Sequence, residues 1–298
     1  MALAKKVVII GAGAVGISFG CLLDKIGYQI LAFVSNSLKS AQKGVDLIND
    51  ARATTDYANF IKKADLILIT TPDQAIKKVA SELFELDLVK NKATLIHLSG
   101  ALDSDILADK ENETYGRLSL HPLQSVANIE QGIDKLPKSF FTIEGNDLGI
   151  KKGKEILTAL DVDYKIITKE AKPLYHAAAC VASNYLVTIV DLAIKMMQEV
   201  GISNDDALSA LLPLIKGSVE NIAQSDPAQA LTGPLARGDK ETIKQHLTSL
   251  KTFLPEKIKL YNKLAEQTIE LAGEKGSISE IQTESLYQVI QEEANNEE

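Results

Sequence analysis

The first half of the chain alternates short apolar runs with segments whose apolar residues recur at helical spacing. Short, nearly continuous apolar runs are typical of strands buried on both faces, and this alternation predicts a mostly parallel sheet with right-handed crossovers. The predicted strands are residues 7–10, 29–34, 65–70, 93–98, 118–120, 140–143 and about 163–167. The predicted helices are a first one that ends near Gly27 and three more at residues 37–50, 73–84 and 149–160.

The strand pattern stops at about Lys169, and helical patterns continue from there. One long helix is predicted at 173–200, and its middle is apolar nearly all round, so we expect it to be buried in a bundle or in a subunit interface. Pro213 is expected to bend or interrupt the helix that follows. The later helices are predicted at residues 204–223, 239–249, 254–273 and 278–296. The pattern therefore predicts an α/β Rossmann domain with a mostly parallel sheet at residues 1–168 and an all-α domain at 169–298.

Composition narrows the class of protein. The 298 residues are 45% hydrophobic and 24% charged, which is ordinary for a globular protein and excludes a disordered or low-complexity chain. A net charge of −8 argues against binding nucleic acid or an anionic membrane. Cys21 and Cys180 lie inside apolar runs, which indicates free thiols and a cytoplasmic protein. No continuous apolar stretch reaches the length of a membrane span, and the four scattered histidines predict no metal site.

A glycine motif follows the first predicted strand. In the sequence GAGAVG, Gly11 permits a tight turn, Gly13 lets a pyrophosphate approach the backbone, and Gly16 lets the helix pack closely on the strand. Ala14 and Val15 begin the helix, whose N–H groups would face the phosphates. A strand before the motif and a helix and strand after it are the context that a dinucleotide site requires. The alternative is a tight turn in a Rossmann-like domain that binds no cofactor.

The end of the second strand indicates which dinucleotide binds. An NAD site usually has an acidic residue there, whereas this chain has Ser35, Ser37 and Lys39 and no carboxylate between Asp24 and Asp46. Hydroxyls and a lysine suit a 2′-phosphate, so we predict NADP(H). A solvated helix position would explain Lys39 equally well.

Polar and small residues also follow three other strands. Ligands of open parallel sheets bind beyond the carboxyl ends of the strands. We therefore expect two segments to border the cofactor: Thr70, Thr71 and Pro72 after the third strand, and Ser99 and Gly100 after the fourth. His121 and Gln124 would enter the substrate cleft. Ordinary turn chemistry is the alternative for the first two segments.

The head of the long helix carries an unusual polar set. Lys172 and His176 are four residues apart and share a face, and Asn184 follows two turns later among apolar residues. Buried polar groups need partners. A carbonyl reductase needs a proton donor, which either Lys172 or His176 would supply, with Asn184 orienting the substrate. A polar helix end between two domains is the alternative.

A second unusual segment is TGPLARGD at residues 232–239. Thr232, Gly233 and Pro234 begin a shaped turn, and Asp239 is placed to cap the next helix. The guanidinium of Arg237 would bind a carboxylate or phosphate through two hydrogen bonds. The alternative is a helix connection with an exposed arginine.

Over nearly its whole length the chain resembles the Rossmann-like proteins with a DUF2520 C-terminal domain. The motifs that carry this resemblance are GAGAVG (11–16), HPLQ (121–124), KPLYHAAACVASNY (172–185) and TGPLARGD…T…HL (232–247). More broadly, the layout resembles NADP-dependent reductases whose helical C-terminal domain is of the 6-phosphogluconate dehydrogenase type. The residues matched to the motifs of the family are Lys172, His176, Asn184 and Arg237.

The resemblance implies an NADPH-dependent oxidoreductase. Some members of the family are assigned as an alternative form of ketopantoate reductase, so the expected reaction is reduction of 2-dehydropantoate to pantoate in pantothenate biosynthesis. Arg237 would hold the carboxylate of this small anionic 2-oxo acid, and the long apolar helix predicts a homodimer. The alternatives are an imine reductase similar to pyrroline-5-carboxylate reductase and a non-catalytic NADP(H) sensor.

Overall fold

The structure is a computed structural model that describes residues 5–109 and 114–295, with side chains as far as Gln291. The chain divides into two compact units between Asn184 and Tyr185. The boundary predicted from the sequence, after residue 168, lies earlier in the chain, just beyond the last strand.

The first unit is built on one eight-stranded sheet in the order β3-β2-β1-β4-β5-β6-β7-β8. All neighbouring pairs are parallel except β6 and β7, which are antiparallel. The strands are β1 Lys6–Ile10, β2 Gln29–Val34, β3 Arg52–Thr54, β4 Leu66–Ile69, β5 Thr94–His97, β6 Gly116–Pro122, β7 Phe141–Gly145 and β8 Tyr164–Ile166. The mostly parallel sheet predicted from the alternating pattern is therefore confirmed.

Both faces of this sheet carry buried apolar side chains. Alternate side chains of a strand point to opposite faces. In β1, Val7 and Ile9 join one apolar cluster, whereas Val8 and Ile10 join another on the opposite face. Helices α1 to α6 contribute apolar side chains to these two clusters. They are α1 Ala14–Lys25, α2 Leu38–Val45, α3 Ala58–Ile61, α4 Asp73–Glu85, α5 Ile129–Lys135 and α6 Asp147–Ala159. Helix α7, Lys172–Cys180, follows the last strand.

The second unit is helical in its described residues. Its apolar core lies among its last three helices, where Ile243, Leu247, Ile269 and Leu286 are buried. The helices are α8 Leu186–Glu199, α9 Asn204–Gln224, α10 Pro227–Ala230, α11 Lys240–Phe253, α12 Ile258–Lys275 and α13 Glu280–Asn295. This arrangement confirms the predicted combination of an α/β domain with an all-α region.

The long apolar helix differs from its prediction in two ways. It is divided into α7 and α8 by a π-helical turn at Val181–Tyr185, and most of its side chains are exposed in the single chain. The prediction that this helix is buried in a bundle of its own chain is therefore wrong. The other prediction, burial in a subunit interface, stays a prediction. The run Lys172–Glu199 has the length and the mean hydropathy, 1.7, of a membrane span, although a single such helix is weak evidence of one.

Three smaller predictions need correction. Strand β3 was not predicted, because Arg52-Ala53-Thr54 is short and partly polar at the edge of the sheet. Helix α2 ends at Val45 instead of residue 50. Helix α9 continues through Pro213 without interruption.

Candidate active site

The carboxyl ends of β1, β4, β5 and β6 lie side by side at one edge of the sheet. The register pairs Ile10 with Ile69, Ile69 with His97, and His97 with Ser119. Residues that directly follow these strands are therefore neighbours, although they are far apart in the sequence. This edge carries most of the residues that the motifs singled out in the first unit.

The glycine turn after β1 is tightly packed against the end of β4. Gly11 has a φ of +113°, and a Cβ there would lie 2.5–2.6 Å from the Thr70–Thr71 peptide. A Cβ on Gly16 would collide with the Gly11 carbonyl oxygen and the Thr70 hydroxyl. The Thr70 hydroxyl also donates to the Gly11 carbonyl oxygen at 2.7 Å. Both glycines are thus required by the close approach of the two segments.

Gly13 differs from these two glycines, because an added Cβ there would meet no atom within 4 Å. It is exposed and forms the N-cap of α1, and no side chain caps the first turn of that helix. Nearby, the buried Thr71 hydroxyl has no hydrogen-bond partner among the described residues. Open N–H groups, space in front of them and a spare hydroxyl fit a bound dinucleotide, with Pro72, exposed at the start of α4, beside them.

The end of β2 places two serines and a lysine together. The Ser37 hydroxyl caps α2 by accepting from the Ser40 N–H at 3.3 Å, and the Ser35 hydroxyl accepts from the Ser37 N–H at 3.3 Å. Lys39, in the first turn of α2, is exposed and forms no ion pair within the part of the chain that the structure describes. This set offers hydroxyls and a cation, as the sequence predicts for an NADP(H) site.

Lys172 is one of the most buried side chains of the unit, with only 1% of its surface exposed. Its Nζ donates to the Ser119 hydroxyl at 2.7 Å and to the Ser99 carbonyl oxygen at 3.2 Å. Burial lowers the pKa of Lys172 to about 8, although nearby carboxylates, of which Glu144 has the largest effect, act to raise it. The lysine therefore joins α7 to the end of β5 and to the middle of β6.

Ser99, whose carbonyl oxygen accepts from Lys172, makes several further hydrogen bonds. Its hydroxyl donates to the Asp73 carboxylate at 2.8 Å and accepts from the N–H groups of Ala101 and Leu102. Its own N–H donates to Nδ1 of the buried His97, so His97 carries its proton on Nε2, which faces the Asp103 carbonyl oxygen at 3.1 Å. Burial lowers the pKa of His97 to about 4, which keeps this ring neutral.

The imidazoles of His121 and His176 both pack against the backbone of Gly100. A Cβ on Gly100 would lie 2.7 Å from Nε2 of His121 and 2.8 Å from Cδ2 of His176. The ring centroids of the two histidines are 6.5 Å apart. Nδ1 of His121 and the Tyr175 hydroxyl are 2.8 Å apart and share a hydrogen bond. Burial lowers the pKa of His121 to about 4, and the charge of Lys172 lowers it further.

A cleft of about 630 Å³ opens beside these histidines, within the first unit. Gln124 and Ser183 contribute polar groups to its wall, and the π-helical turn supplies Asn184. Such turns are frequent at functional sites. The residues that line the cleft are His121, Leu123, Gln124, Ser125, Tyr175, His176, Ala178, Ala179, Cys180, Ala182, Ser183 and Asn184. Lys172 is not among them.

The segment 232–239 lies in the second unit. Gly233 has a φ of +97°, Pro234 precedes a 3-10 turn at Leu235–Arg237, and Asp239 caps α11 through the Thr242 N–H at 3.1 Å. Thr232 and Arg237 are exposed. Arg237 forms no ion pair among the described residues, so its guanidinium is available to an anion.

Sequence reasoning did not single out Tyr175 or Ser119. Tyr175 stands next to His176 in the motif at 172–185, which was the one available signal for its role beside His121. Ser119 lies inside a buried strand, and nothing in the sequence links it to a lysine 53 residues away.

The fold is that of the pyridine-nucleotide-dependent oxidoreductases. The profile of a Rossmann-like domain matches residues 2–122, and that of a domain of unknown function, DUF2520, matches residues 139–268. The chain is therefore a Rossmann-like protein with a DUF2520 domain, as its motifs predict.

Solved structures and curated proteins agree with this fold. Protein TM1727 from Thermotoga maritima is 25% identical, with a TM-score of 0.73 over 90% of this chain and 99% of that one. Protein BF3122 from Bacteroides fragilis, provisionally named an NADP oxidoreductase, is 24% identical, with a TM-score of 0.70 over 90% and 98% of the two chains. A glycerol-3-phosphate dehydrogenase [NAD(P)+] from Staphylococcus saprophyticus is 27% identical over 125 residues, which are 38% of this chain and 35% of that enzyme.

Proposed function

We propose that the protein is an NADPH-dependent reductase of a small 2-oxo acid, with 2-dehydropantoate as the substrate and pantoate as the product. The observation that carries this proposal is the pair of imidazoles beside a polar cleft, at the same sheet edge as the glycine turn. When bound, NADPH supplies the hydride.

The packing of the sheet edge supports an assignment of the residues that would hold the cofactor. The first-turn N–H groups of α1, left open at Gly13, would bind the pyrophosphate. The cofactor would give the Thr71 hydroxyl the hydrogen-bond partner that it lacks among the described residues. Ser35, Ser37 and Lys39 would bind the 2′-phosphate, which favours NADPH over NADH.

The histidines divide the work on the carbonyl group. With the Tyr175 hydroxyl donating to Nδ1 of His121, the proton of this neutral ring stays on Nε2, which can then donate to the carbonyl oxygen. His176, on the same wall, would deliver the proton to that oxygen as the hydride arrives at carbon. Asn184 would orient the substrate from the π-helical turn.

A substrate carboxylate needs a cation to bind it. We assign this role to Arg237 from its place in the motif at 232–239, and its guanidinium has no ion pair in the described part of the chain. An arginine binds a carboxylate through two parallel hydrogen bonds, which suits a 2-oxo acid.

The assembly that we propose is a cytoplasmic homodimer through α8 and α9. These two helices expose apolar side chains whose exposed fractions exceed 40%. They are Val187, Ile189, Leu212, Leu214, Val219 and Ile222. A second copy of the chain would cover them. Val187→Glu should therefore convert a dimer to a monomer in light scattering, whereas Ile281→Glu, at an exposed isoleucine on α13, should not. A wild-type monomer, or membrane association of the wild type, would refute this interface.

Substrate turnover tests the proposed reaction. NADPH oxidation is followed at 340 nm with 2-dehydropantoate, other 2-oxo acids and cyclic imines, and NADP⁺ reduction is followed with glycerol 3-phosphate. We expect turnover of 2-dehydropantoate, a large rise in KM for Arg237→Ala, and an unchanged Kd for NADPH in that variant. Turnover of imines or of glycerol 3-phosphate alone would reassign the substrate. Tight NADPH binding without turnover of any compound would favour a sensor.

A further inference from the structure

Lys172 and His176 share a helix face, yet the structure gives them different surroundings. Lys172 is 1% exposed, and its Nζ is engaged by the Ser119 hydroxyl and the Ser99 carbonyl oxygen. His176 is half-buried and stands on the cleft wall. A proton donor must reach the oxygen that it protonates, and only the histidine faces the space that a substrate can enter.

The Ser99 carbonyl belongs to the peptide bond that leads into Gly100, and this backbone supports both imidazoles. A lysine that holds this peptide from one turn earlier on α7 also fixes where His176 stands relative to His121. Ser99 is in turn fixed by Asp73. Movement of Lys172 would therefore be transmitted to the gap between the two rings.

We propose that Lys172 is a positioning residue, which sets His176 against His121 across Gly100, and that it does not donate the reaction proton. This assignment rests on the proposed reductase function. It gives His176 the proton transfer and His121 the hydrogen bond to the carbonyl oxygen.

The electrostatic part of this role follows from the charges around the two groups. Burial and the positive charge of Lys172 both act to lower the pKa of His121, and the rings of His176 and His97 add smaller effects in the same direction. The carboxylates that face Lys172, which come from β7, from the loop after β5 and from α4, favour its charged form. They are Glu144, Asp103 and Asp73.

The first test is an NMR titration of the histidine rings in the substrate-free protein, with the His121 signal assigned from a His121→Gln spectrum. In Lys172→Met we expect the pKa of His121 to rise measurably from its wild-type value of about 4. Lys169→Met is the matched control, because Lys169 is exposed and paired with Asp105, and it should leave this titration unchanged. A folded Lys172→Met protein with an unaltered His121 titration would overturn the proposal.

The second test needs no variant of Lys172, so it holds even if Lys172→Met fails to fold. Loss of the Lys172 charge near pH 8 should produce a second inflection in the wild-type His121 ring signal. Absence of that inflection counts against the coupling.

Kinetics separate positioning from proton donation. Lys172→Arg keeps a positive charge but cannot give up a proton at these pH values. We expect it to retain a kcat within about tenfold of wild type, whereas Lys172→Met loses much more, with the Kd for NADPH unchanged in both. An arginine variant that folds, keeps the wild-type His121 titration and is as inactive as the methionine variant would identify Lys172 as the donor. Because the titrations need no substrate, a failed turnover assay would refute the proposed reaction without touching this result.

Discussion

Replacing Gly13 with alanine should separate cofactor binding from folding. The φ of −84° and ψ of 179° at Gly13 suit any residue, and the new methyl group would meet no atom within 4 Å. Alanine is a poorer N-cap than glycine, which costs on the order of 1 kcal/mol. Alanine also restricts the conformations of the unfolded chain more than glycine does, which stabilises the folded protein by about 0.4–1 kcal/mol. The free energy of unfolding should therefore change by less than about 1 kcal/mol.

Cofactor binding should respond much more strongly. The methyl group would occupy the space in front of the first turn of α1, where the open N–H groups would meet the pyrophosphate. A hydrogen bond to a charged group contributes about 1.5–3 kcal/mol. Loss of one such bond corresponds to a rise in Kd on the order of 10- to 100-fold.

Gly16→Ala is the contrasting variant. Its Cβ would collide with the Gly11 carbonyl oxygen and the Thr70 hydroxyl, so the backbone itself must move. Overpacking of this kind costs about 1–3 kcal/mol. We expect a lower Tm for Gly16→Ala and a near-normal Tm for Gly13→Ala. Thermal denaturation and calorimetric titration with NADPH measure the two effects. A stable Gly13→Ala protein that binds NADPH as tightly as wild type would refute the placement of the pyrophosphate.

Three further outcomes are expected. Lys39→Met should raise the Kd for NADPH about three- to tenfold in fluorescence titrations and leave the Kd for NADH unchanged, because only NADPH carries a 2′-phosphate. Equal effects on the two dinucleotides would show that Lys39 is not part of the 2′-phosphate site. Gly100→Ala should lower kcat without weakening NADPH binding, since its Cβ would press on both cleft imidazoles; an unchanged kcat would contradict that contact. Because His97 has a folded pKa of about 4 against an ordinary 6.5, the unfolded state binds more protons between these values. The free energy of unfolding should thus fall by about 3 kcal/mol as the pH drops from 6.5 to 4. Urea denaturation should show a shallower pH dependence in His97→Gln, and an equal slope would contradict a neutral buried ring.

The sequence predicts most of the sheet because its buried strands are continuous apolar runs between turn residues. The runs at 7–10 and 29–34 correspond closely to β1 and β2. Strand β3 escapes prediction because a three-residue edge strand needs no apolar run. Adjacency of the strand ends also follows from the parallel topology, which explains how Gly11 and Thr70 were assigned to one region.

Periodicity is a poorer guide to the environment of a helix. The apolar pattern of α8 predicts burial but does not say what buries it, and in the single chain this face is exposed. Pro213 likewise removes one N–H from α9, a loss that twenty other helical residues absorb without a break. In both cases local sequence defines the element, and the packing around it decides the outcome.

The candidate site shows the same distinction at the level of single residues. Spacing places Lys172 and His176 on one face of α7 and so makes them equivalent candidates for one proton transfer. Their difference arises from partners more than fifty residues away, because Lys172 donates to Ser99, just beyond β5, and to Ser119, within β6. His176, one turn further along the helix, packs against Gly100 and lines the cleft. These partners, which are distant in the sequence, therefore determine which of the two side chains faces the cleft.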